Sequence, residues 1–335
     1  MLRIAINGFG RIGRTFLRTL VLDKKAAHKI EVVAINIGPA RLDAVAHMFT
    51  YDTVMRKFPG NVSVEGDELI IDNVRIKILT ELDPSRLPWK KLAIDWVVEC
   101  TGRFTKREGA QKHIEAGAKK VLISAPGKEE DITIVPGVNS TAYDNNKHAI
   151  VALGSCTTGA LANMLKVVHD AFTIERSFMT TVHAYTNSQV LLDVEDSDLR
   201  RARAAALNII PTTTGAMKVI GKVIPDLVRC IEGMSLRVPV AIVSLIDLTF
   251  ITKKSLTPQL INDAYTKAAQ SNLKGILAIT MEPLVSSDFT GDSHSVVIDG
   301  SLTGTCGQNM GKAFGWYDNE WGYSERLKDF LTDIA

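Results

Sequence analysis

Arg3-Ile4-Ala5-Ile6-Asn7-Gly8-Phe9-Gly10-Arg11-Ile12-Gly13 decides the fold. A short β-branched run leads directly into Gly-x-Gly-x-x-Gly, and a helical pattern from Arg11 to Leu22 follows. Alone the glycine pattern is weak; between a strand and a helix it predicts a dinucleotide site. Gly8 permits the turn, Gly10 lets backbone approach a pyrophosphate, and Gly13 allows close helix–strand packing, with the phosphates at the helix N-terminus beside Arg11 and Ile12.

Outward from this turn, strand-like and helical runs alternate: Ile30 to Asn36, then Arg41 to Thr50. Such alternation predicts right-handed βαβ units on a parallel sheet. Further strands are expected at Glu68 to Leu79, Trp96 to Glu99, Lys120 to Ser124, Thr133 to Pro136 and Ile150 to Leu153, with a helix from Arg107 to Gly117. This first, α/β domain closes near residue 155. Beyond it, Phe178 to His183, Leu236 to Val240, Val243 to Ile251 and Ser295 to Ile298 read as strands of a mainly antiparallel sheet, with helices near 215 to 224 and 257 to 270. That half reads as α+β. Asp193 to Arg203 is dense in charge and reads as a solvated loop.

At 335 residues the chain exceeds the usual single-core size, so two domains are expected. With 39 basic and 37 acidic residues the formal charge is only +2, which points to neither nucleic acid nor an anionic membrane as partner. Four scattered cysteines give no disulfide framework and no metal-ligand spacing, and so suggest a reducing compartment. Met1 runs at once into a strand, which leaves no room for a signal peptide, and no apolar stretch reaches spanning length. These features lead us to expect a soluble, cytoplasmic protein.

Chemistry is expected where Ser155-Cys156-Thr157-Thr158 precedes His183 by 27 residues. Cys156 follows the apolar run Ala149 to Leu153 and the turn residue Gly154, and a helical pattern follows it, which places it at a strand-to-helix junction. Helix N–H groups, the helix dipole and a nearby imidazolium would stabilise a thiolate there. Cysteine is usually a small buried hydrophobe. The polar collar of Ser155, Thr157 and Thr158 sets Cys156 apart, whereas Cys100, Cys230 and Cys306 lack one and read as structural. His183 is preferred over the other six histidines for its Thr/Tyr setting at a strand end.

An acid that holds the adenine ribose normally ends the second strand of such a domain, but here the sequence is Val33-Ala34-Ile35-Asn36-Ile37-Gly38-Pro39. Asn36 can hydrogen-bond a ribose hydroxyl, and without a carboxylate a 2′-phosphate is not repelled, with Arg41 as its candidate partner. This signal leaves NAD against NADP undecided.

With these residues assembled, the chain resembles the phosphorylating glyceraldehyde-3-phosphate dehydrogenase family from end to end. The resemblance rests on Ile6 to Arg14, Ser155 to Thr158, Thr180 to Thr186, Pro211 to Ala216, Arg237-Val238-Pro239 and Trp316 to Tyr323. It implies a Rossmann-type domain of residues 1–155 with 318–335, to which the C-terminal helix returns, and a catalytic domain of residues 156–317. It further implies that the Cys156 thiolate adds to an aldehyde, that a hydride leaves to a nicotinamide, that His183 takes the hydroxyl proton, and that inorganic phosphate releases the thioester as an acyl phosphate. The substrate is then glyceraldehyde 3-phosphate. By the same resemblance Thr186 and Arg237 fall on the substrate-phosphate site, Ser155, Thr157, Thr214 and Gly215 on the attacking-phosphate site, and Arg201 on a further anion contact. Thr101, Ser124 and Asn319 fall on dinucleotide contacts. Family members are typically homotetramers in which the charged loop packs beside a neighbour's cofactor; Glu195 there would repel a 2′-phosphate, which favours NAD.

The chain departs from the family around the nucleophile, where Leu153-Gly154 and Gly159-Ala160 replace the usual residues. Gly159 is expected to loosen the first helical turn, since glycine costs about 1 kcal/mol against alanine in a helix. Leu82 stands where an arginine is common. Two rival readings are an erythrose-4-phosphate dehydrogenase, which hydrolyses its thioester, and a catalytically weak binding protein. His183 to Thr186 and Thr214-Gly215 favour the phosphorylating enzyme over the first.

Overall fold

The computed structural model describes Met1–Ala335, which divide into two compact units. Met1–Ile134, Thr141–Gly154 and Ser324–Ala335 form the first; Val135–Ser140 and Ser155–Tyr323 form the second.

The first unit runs β1 (Leu2–Asn7), α1 (Arg11–Leu22), α2 (Lys24–Lys29), β2 (Ile30–Asn36), α3 (Leu42–Thr50), β3 (Val62–Glu65), β4 (Glu68–Ile71), β5 (Val74–Leu79), β6 (Trp96–Glu99), α4 (Arg107–Glu115), β7 (Lys120–Ile123), β8 (Ile132–Thr133) and β9 (Ile150–Ala152). Its nine strands order as β3-β4-β5-β2-β1-β6-β7-β9-β8. Every pair from β5 to β8 is parallel, and β3 and β4 add an antiparallel edge. A parallel sheet is covered on both faces, so its central strands read as continuous apolar runs. Ile4, Ala5 and Ile6 of β1 and Val97 and Val98 of β6 are accordingly fully buried.

The single strand expected from Glu68 to Leu79 is instead the hairpin of β4 and β5. Asp72 turns it with φ of 51°, a conformation that Asp and Asn tolerate because their short side chains bond locally. The sequence reading also missed α2, which Asp23 caps by accepting from Lys25 and Ala26 N–H at 2.9 and 3.2 Å.

The second unit runs α5 (Cys156–Phe172), β10 (Ile174–Ala184), β11 (Ile210–Thr212), α6 (Ala216–Val223), β12 (Ile231–Val238), β13 (Ser244–Thr252), α7 (Pro258–Gln270), β14 (Leu277–Thr280), β15 (Val296–Cys306) and β16 (Met310–Tyr317), and α8 (Trp321–Asp333) closes the chain. Its seven strands order as β11-β12-β10-β13-β16-β15-β14, parallel only at β10/β12 and β14/β15. Burial alternates along β13 residue by residue, the period of a sheet with one face on the core. That face, through Ile246, Leu248 and Phe250, shares one core with Leu165 of α5 and Ile261 and Tyr265 of α7. Each such apolar side chain contributes about 1.5–3 kcal/mol on full burial.

Most of α8 counts with the first unit. Phe330 meets Trp96 edge-on with ring centroids 5.7 Å apart, and Lys328 Nζ lies 2.8 Å from Asp23. No helix is long and apolar enough to cross a membrane.

Candidate active site

In the first unit the strand order reverses at β1, with β2 on one side and β6 on the other. Ligands of open α/β sheets bind at such a switch, outside the carboxyl ends of the strands. A cleft of about 230 Å³ opens there, lined by Asn7, Gly8 and Gly10 after β1, by Asn36 to Pro39 after β2 and by Cys100 and Thr101 after β6. The glycines meet three different demands. Gly8 has φ of 97°, and a Cβ on it would lie 2.6 Å from Thr101 N; a Cβ on Gly13 would lie 2.2 Å from Gly8 O. Gly10 would meet nothing within 4 Å, and as N-cap of α1 it makes no side-chain cap. The turn is therefore packed on the sheet side and open at the helix N-terminus, a cradle that fits a pyrophosphate. The Arg11 side chain is engaged with Asp52, which leaves the backbone at Arg11 and Ile12 for an anion.

Beneath the cleft lies a buried carboxylate that the sequence reading passed over. Glu99 Oε1 accepts from Thr101 N at 2.8 Å and from Thr101 Oγ1, while Oε2 faces Asn7 Nδ2 at 2.6 Å and His113 Nε2 at 3.1 Å. Trp89 Nε1 donates to His113 Nδ1 at 3.0 Å, which makes Nε2 the donor toward Glu99. Ser124 Oγ donates to the Glu99 carbonyl at 2.9 Å. Thr101 and Ser124 are thus held by one residue. The signal was an ionisable side chain closing an apolar strand, since a buried charge persists only with such partners.

Asn36, expected at the ribose, lines the cleft and is held by its neighbours. Both its Nδ2 protons are used, by Asn7 Oδ1 at 2.7 Å and by Glu81 O at 2.8 Å, and Oδ1 accepts from Glu81 N at 3.0 Å. It clamps two strand ends together.

In the second unit, Cys156 opens α5 and Ser155 caps that helix, with Oγ accepting from Thr158 N at 3.1 Å. Cys156 Sγ lies 3.6 Å from His183 Nε2. The parallel register of β10 and β12 sets His183 opposite Arg237, whose guanidinium reaches His183 Nδ1 at 2.8 Å and Ala184 O at 3.0 Å. Nδ1 itself lies 2.6 Å from Ala184 O. Two tautomers fit this triangle: a proton on Nδ1 bonds Ala184 O and leaves Nε2 free to accept from the thiol, whereas an Arg237 bond to Nδ1 puts the proton on Nε2. General-base chemistry needs the first.

The expectation of a resting thiolate is corrected by burial. Burial pushes the Cys156 thiol up, and Arg237 and the helix-start N–H groups oppose it without prevailing. Burial and then Arg237 push His183 down to about 4. Burial thus disfavours both charged forms, the thiolate and the imidazolium. Burial also pushes the Cys100 thiol up to about 12, in keeping with a structural cysteine.

The helix beyond Cys156 continues through Gly159. Its N–H donates to Ser155 O at 2.9 Å and its carbonyl accepts from the buried Asn163 Nδ2 at 2.8 Å. That side-chain bond supports the turn.

Of the other expected residues, Thr157 joins the cluster through Tyr317: Thr157 Oγ1 and Thr181 Oγ1 lie 2.9 and 2.8 Å from the Tyr317 hydroxyl. The Tyr317 ring meets His183 edge-on, and sequence reading gave this buried tyrosine no role. Arg201 donates to Thr212 Oγ1 at 2.9 Å and is near enough to Arg237 to depress its pKa further, after burial. Two guanidiniums in proximity fit an anion between them. Thr186 Oγ1 bonds Ser188 Oγ at 2.9 Å, and Gln189 Nε2 beside it is buried without a partner. Thr214 Oγ1 accepts from Ala216 N at 3.2 Å, and Gly215 caps α6 without a side chain. Asn319 Oδ1 accepts from Ser244 Oγ at 3.1 Å, which in turn accepts from Ala184 N at 3.1 Å at the end of β10.

Two family models match this arrangement unit by unit. Residues 2–107 match the NAD binding domain of glyceraldehyde 3-phosphate dehydrogenase, and residues 155–319 match its C-terminal domain. The chain is similar to the glyceraldehyde-3-phosphate dehydrogenase of Geobacillus stearothermophilus, with 48% identity over 333 residues covering 99% of this chain and 98% of that protein. It is likewise similar to glyceraldehyde-3-phosphate dehydrogenase 2 of Bacillus subtilis, at 46% over 333 residues, 99% of this chain and 96% of the other. The Streptomyces coelicolor enzyme gives 48% over 336 residues, 100% and 98%. A glycine cradle at a switch point, a thiol facing an imidazole, and likeness at this level over the whole length lead to one conclusion: the chain belongs to the glyceraldehyde-3-phosphate dehydrogenase family.

Proposed function

We propose that the protein oxidises glyceraldehyde 3-phosphate to a thioester on Cys156 and transfers the acyl group to inorganic phosphate, which frees the Cys156 sulfur and gives 1,3-bisphosphoglycerate. The observation that carries this reading is Cys156 Sγ 3.6 Å from His183 Nε2, with Arg237 in register beside them. NAD would be held by the Gly8 to Gly13 turn with Thr101 and Ser124, with Asn319 as the expected nicotinamide contact, and would supply the hydride acceptor. In its Nδ1–H tautomer His183 takes the thiol proton as Sγ adds to the aldehyde carbon, passes it to the adduct's oxygen, and takes it back as hydride leaves and the thioester forms. Neutrality at physiological pH suits the imidazole to that role, since its pKa near 4 leaves Nε2 free to accept. The N–H groups at the start of α5 support the oxyanion.

Thr186 and Arg237, with Arg201, form the substrate-phosphate site in this reading; Ser155, Thr157, Thr214 and Gly215 receive the attacking phosphate. Residues 1–155 with 318–335 act as the cofactor domain and 156–317 as the catalytic domain in this reading, although Val135–Ser140 and residues 318–323 pack with the second unit. The exposed apolar side chains of the charged loop, Leu191, Leu192 and Leu199 among them, favour an assembly that covers them, a homotetramer of cytoplasmic subunits. Purified protein given glyceraldehyde 3-phosphate and NAD should form NADH beyond about one equivalent per site only with phosphate present, and Cys156→Ser should lose at least about a thousandfold of that rate. NADH formed equally well without phosphate points to thioester hydrolysis instead.

A further inference from the structure

A carboxylate is missing where β2 ends, yet the structure brings one to the same place from the neighbouring strand. We propose that Glu81, just beyond β5, takes the ribose of the cofactor in place of that missing acid and selects NAD against NADP; this rests on the dinucleotide site proposed above.

The placement follows from backbone geometry. β2 pairs with β5 in parallel, with Asn36 opposite Leu79, so the two chains leave the sheet side by side. Ile37 N then donates to Leu79 O at 2.9 Å. The Asn36 side chain bonds both backbone groups of Glu81, accepting from its N–H at 3.0 Å and donating to its carbonyl at 2.8 Å. A Cβ on Gly38 would sit 3.8 Å from Leu82 Cδ2, which shows how closely the two loops approach. Glu81 is therefore fixed beside the residue that follows β2, and both Glu81 and Ile37 line the cleft.

The side chain is oriented as well as placed. Glu81 Oε1 accepts from Leu82 N at 2.8 Å and from Asp83 N at 2.9 Å. Those bonds occupy one oxygen and leave Oε2 for a further donor. A ribose diol offers donors, and a carboxylate accepting from it makes charge-assisted bonds. A 2′-phosphate brings negative charge and no such donor, so the same carboxylate repels it. Arg103, the other charged residue lining the cleft, has the opposite preference. Its backbone N donates to Thr101 Oγ1 at 3.0 Å, but no bond orients its guanidinium. The oriented group therefore governs.

Binding of ADP-ribose and of 2′-phospho-ADP-ribose to the full chain, measured by titration calorimetry without turnover, tests this. Wild-type protein should prefer ADP-ribose. Glu81→Gln, which keeps the Oε1 acceptor, should weaken ADP-ribose and strengthen the phosphorylated ligand by about tenfold each. The double variant Ile37→Asp with Glu81→Gln should regain the wild-type preference, a gain that misfolding cannot mimic. An unchanged ratio in a Glu81→Gln protein that melts like wild type overturns the proposal, as does a ratio that responds to Arg103→Gln and not to Glu81→Gln. If wild-type protein binds neither ligand, the dinucleotide site itself is wrong, and Glu81 falls with it.

Discussion

Arg237 acts on both members of the candidate pair, and in the same direction: its positive charge lowers the pKa of the Cys156 thiol and that of His183. It thereby favours thiolate over thiol and imidazole over imidazolium. Arg237→Gln should raise both. The pH midpoint for alkylation of Cys156 by iodoacetamide should move upward, and the His183 midpoint, followed by NMR of the imidazole, should climb from about 4 toward the ordinary histidine value. A Cys156 midpoint that falls, or stays fixed, would contradict the contact as described. Cys156 and His183 were singled out by their flanking residues and Arg237 by the family resemblance, and the fold brings the three together. Glu99 and Tyr317 were not singled out, since what they do depends on hydrogen bonds to residues 92 and 160 positions away. The direction of the thiol's shift was misjudged for the same reason: burial is a property of the fold, whereas a collar of hydroxyls is a property of the sequence.

At the scale of elements, α5 carries the nucleophile at its first position, so the integrity of its opening turns matters. Gly159 lies inside the helix, and a Cβ there would meet nothing within 4 Å. Gly159→Ala should therefore stabilise the chain by about 0.5–1 kcal/mol, read as a higher melting temperature. A lower melting temperature would mean that the site needs the glycine. The elements that sequence reading caught best were those with a cap or a sharp apolar boundary: α1 and β2 at their full extent, and β6 likewise. It merged β4 and β5 because the Asp72-Asn73 turn interrupts an otherwise continuous β-branched run without glycine or proline. Residues 310 to 317 went unread as a strand for a different reason. Gly311 and Gly315 are weak strand formers, but a Cβ on Gly311 would lie 2.4 Å from the Phe250 ring and one on Gly315 would lie 2.6 Å from the Met164 sulfur. Close packing on the core, invisible in one strand's composition, requires them there.

For the molecule as a whole, the loop from Leu191 to Ile209 exposes Leu191, Leu192, Val194, Leu199, Leu207 and Ile209. So many exposed large apolar side chains in one loop fit an association site, the assembly proposed above. If the proposed assembly forms, Leu191→Asp with Leu199→Asp should lower the sedimentation mass relative to wild type; a wild-type protein that sediments as a monomer removes it. The chain is mixed with glyceraldehyde 3-phosphate and NAD without phosphate, quenched in acid and weighed by mass spectrometry, then weighed again after phosphate is added. An acyl group should appear on the peptide that carries Cys156 and should be discharged when phosphate arrives. No adduct on Cys156, or an adduct that leaves as fast without phosphate as with it, would contradict the account.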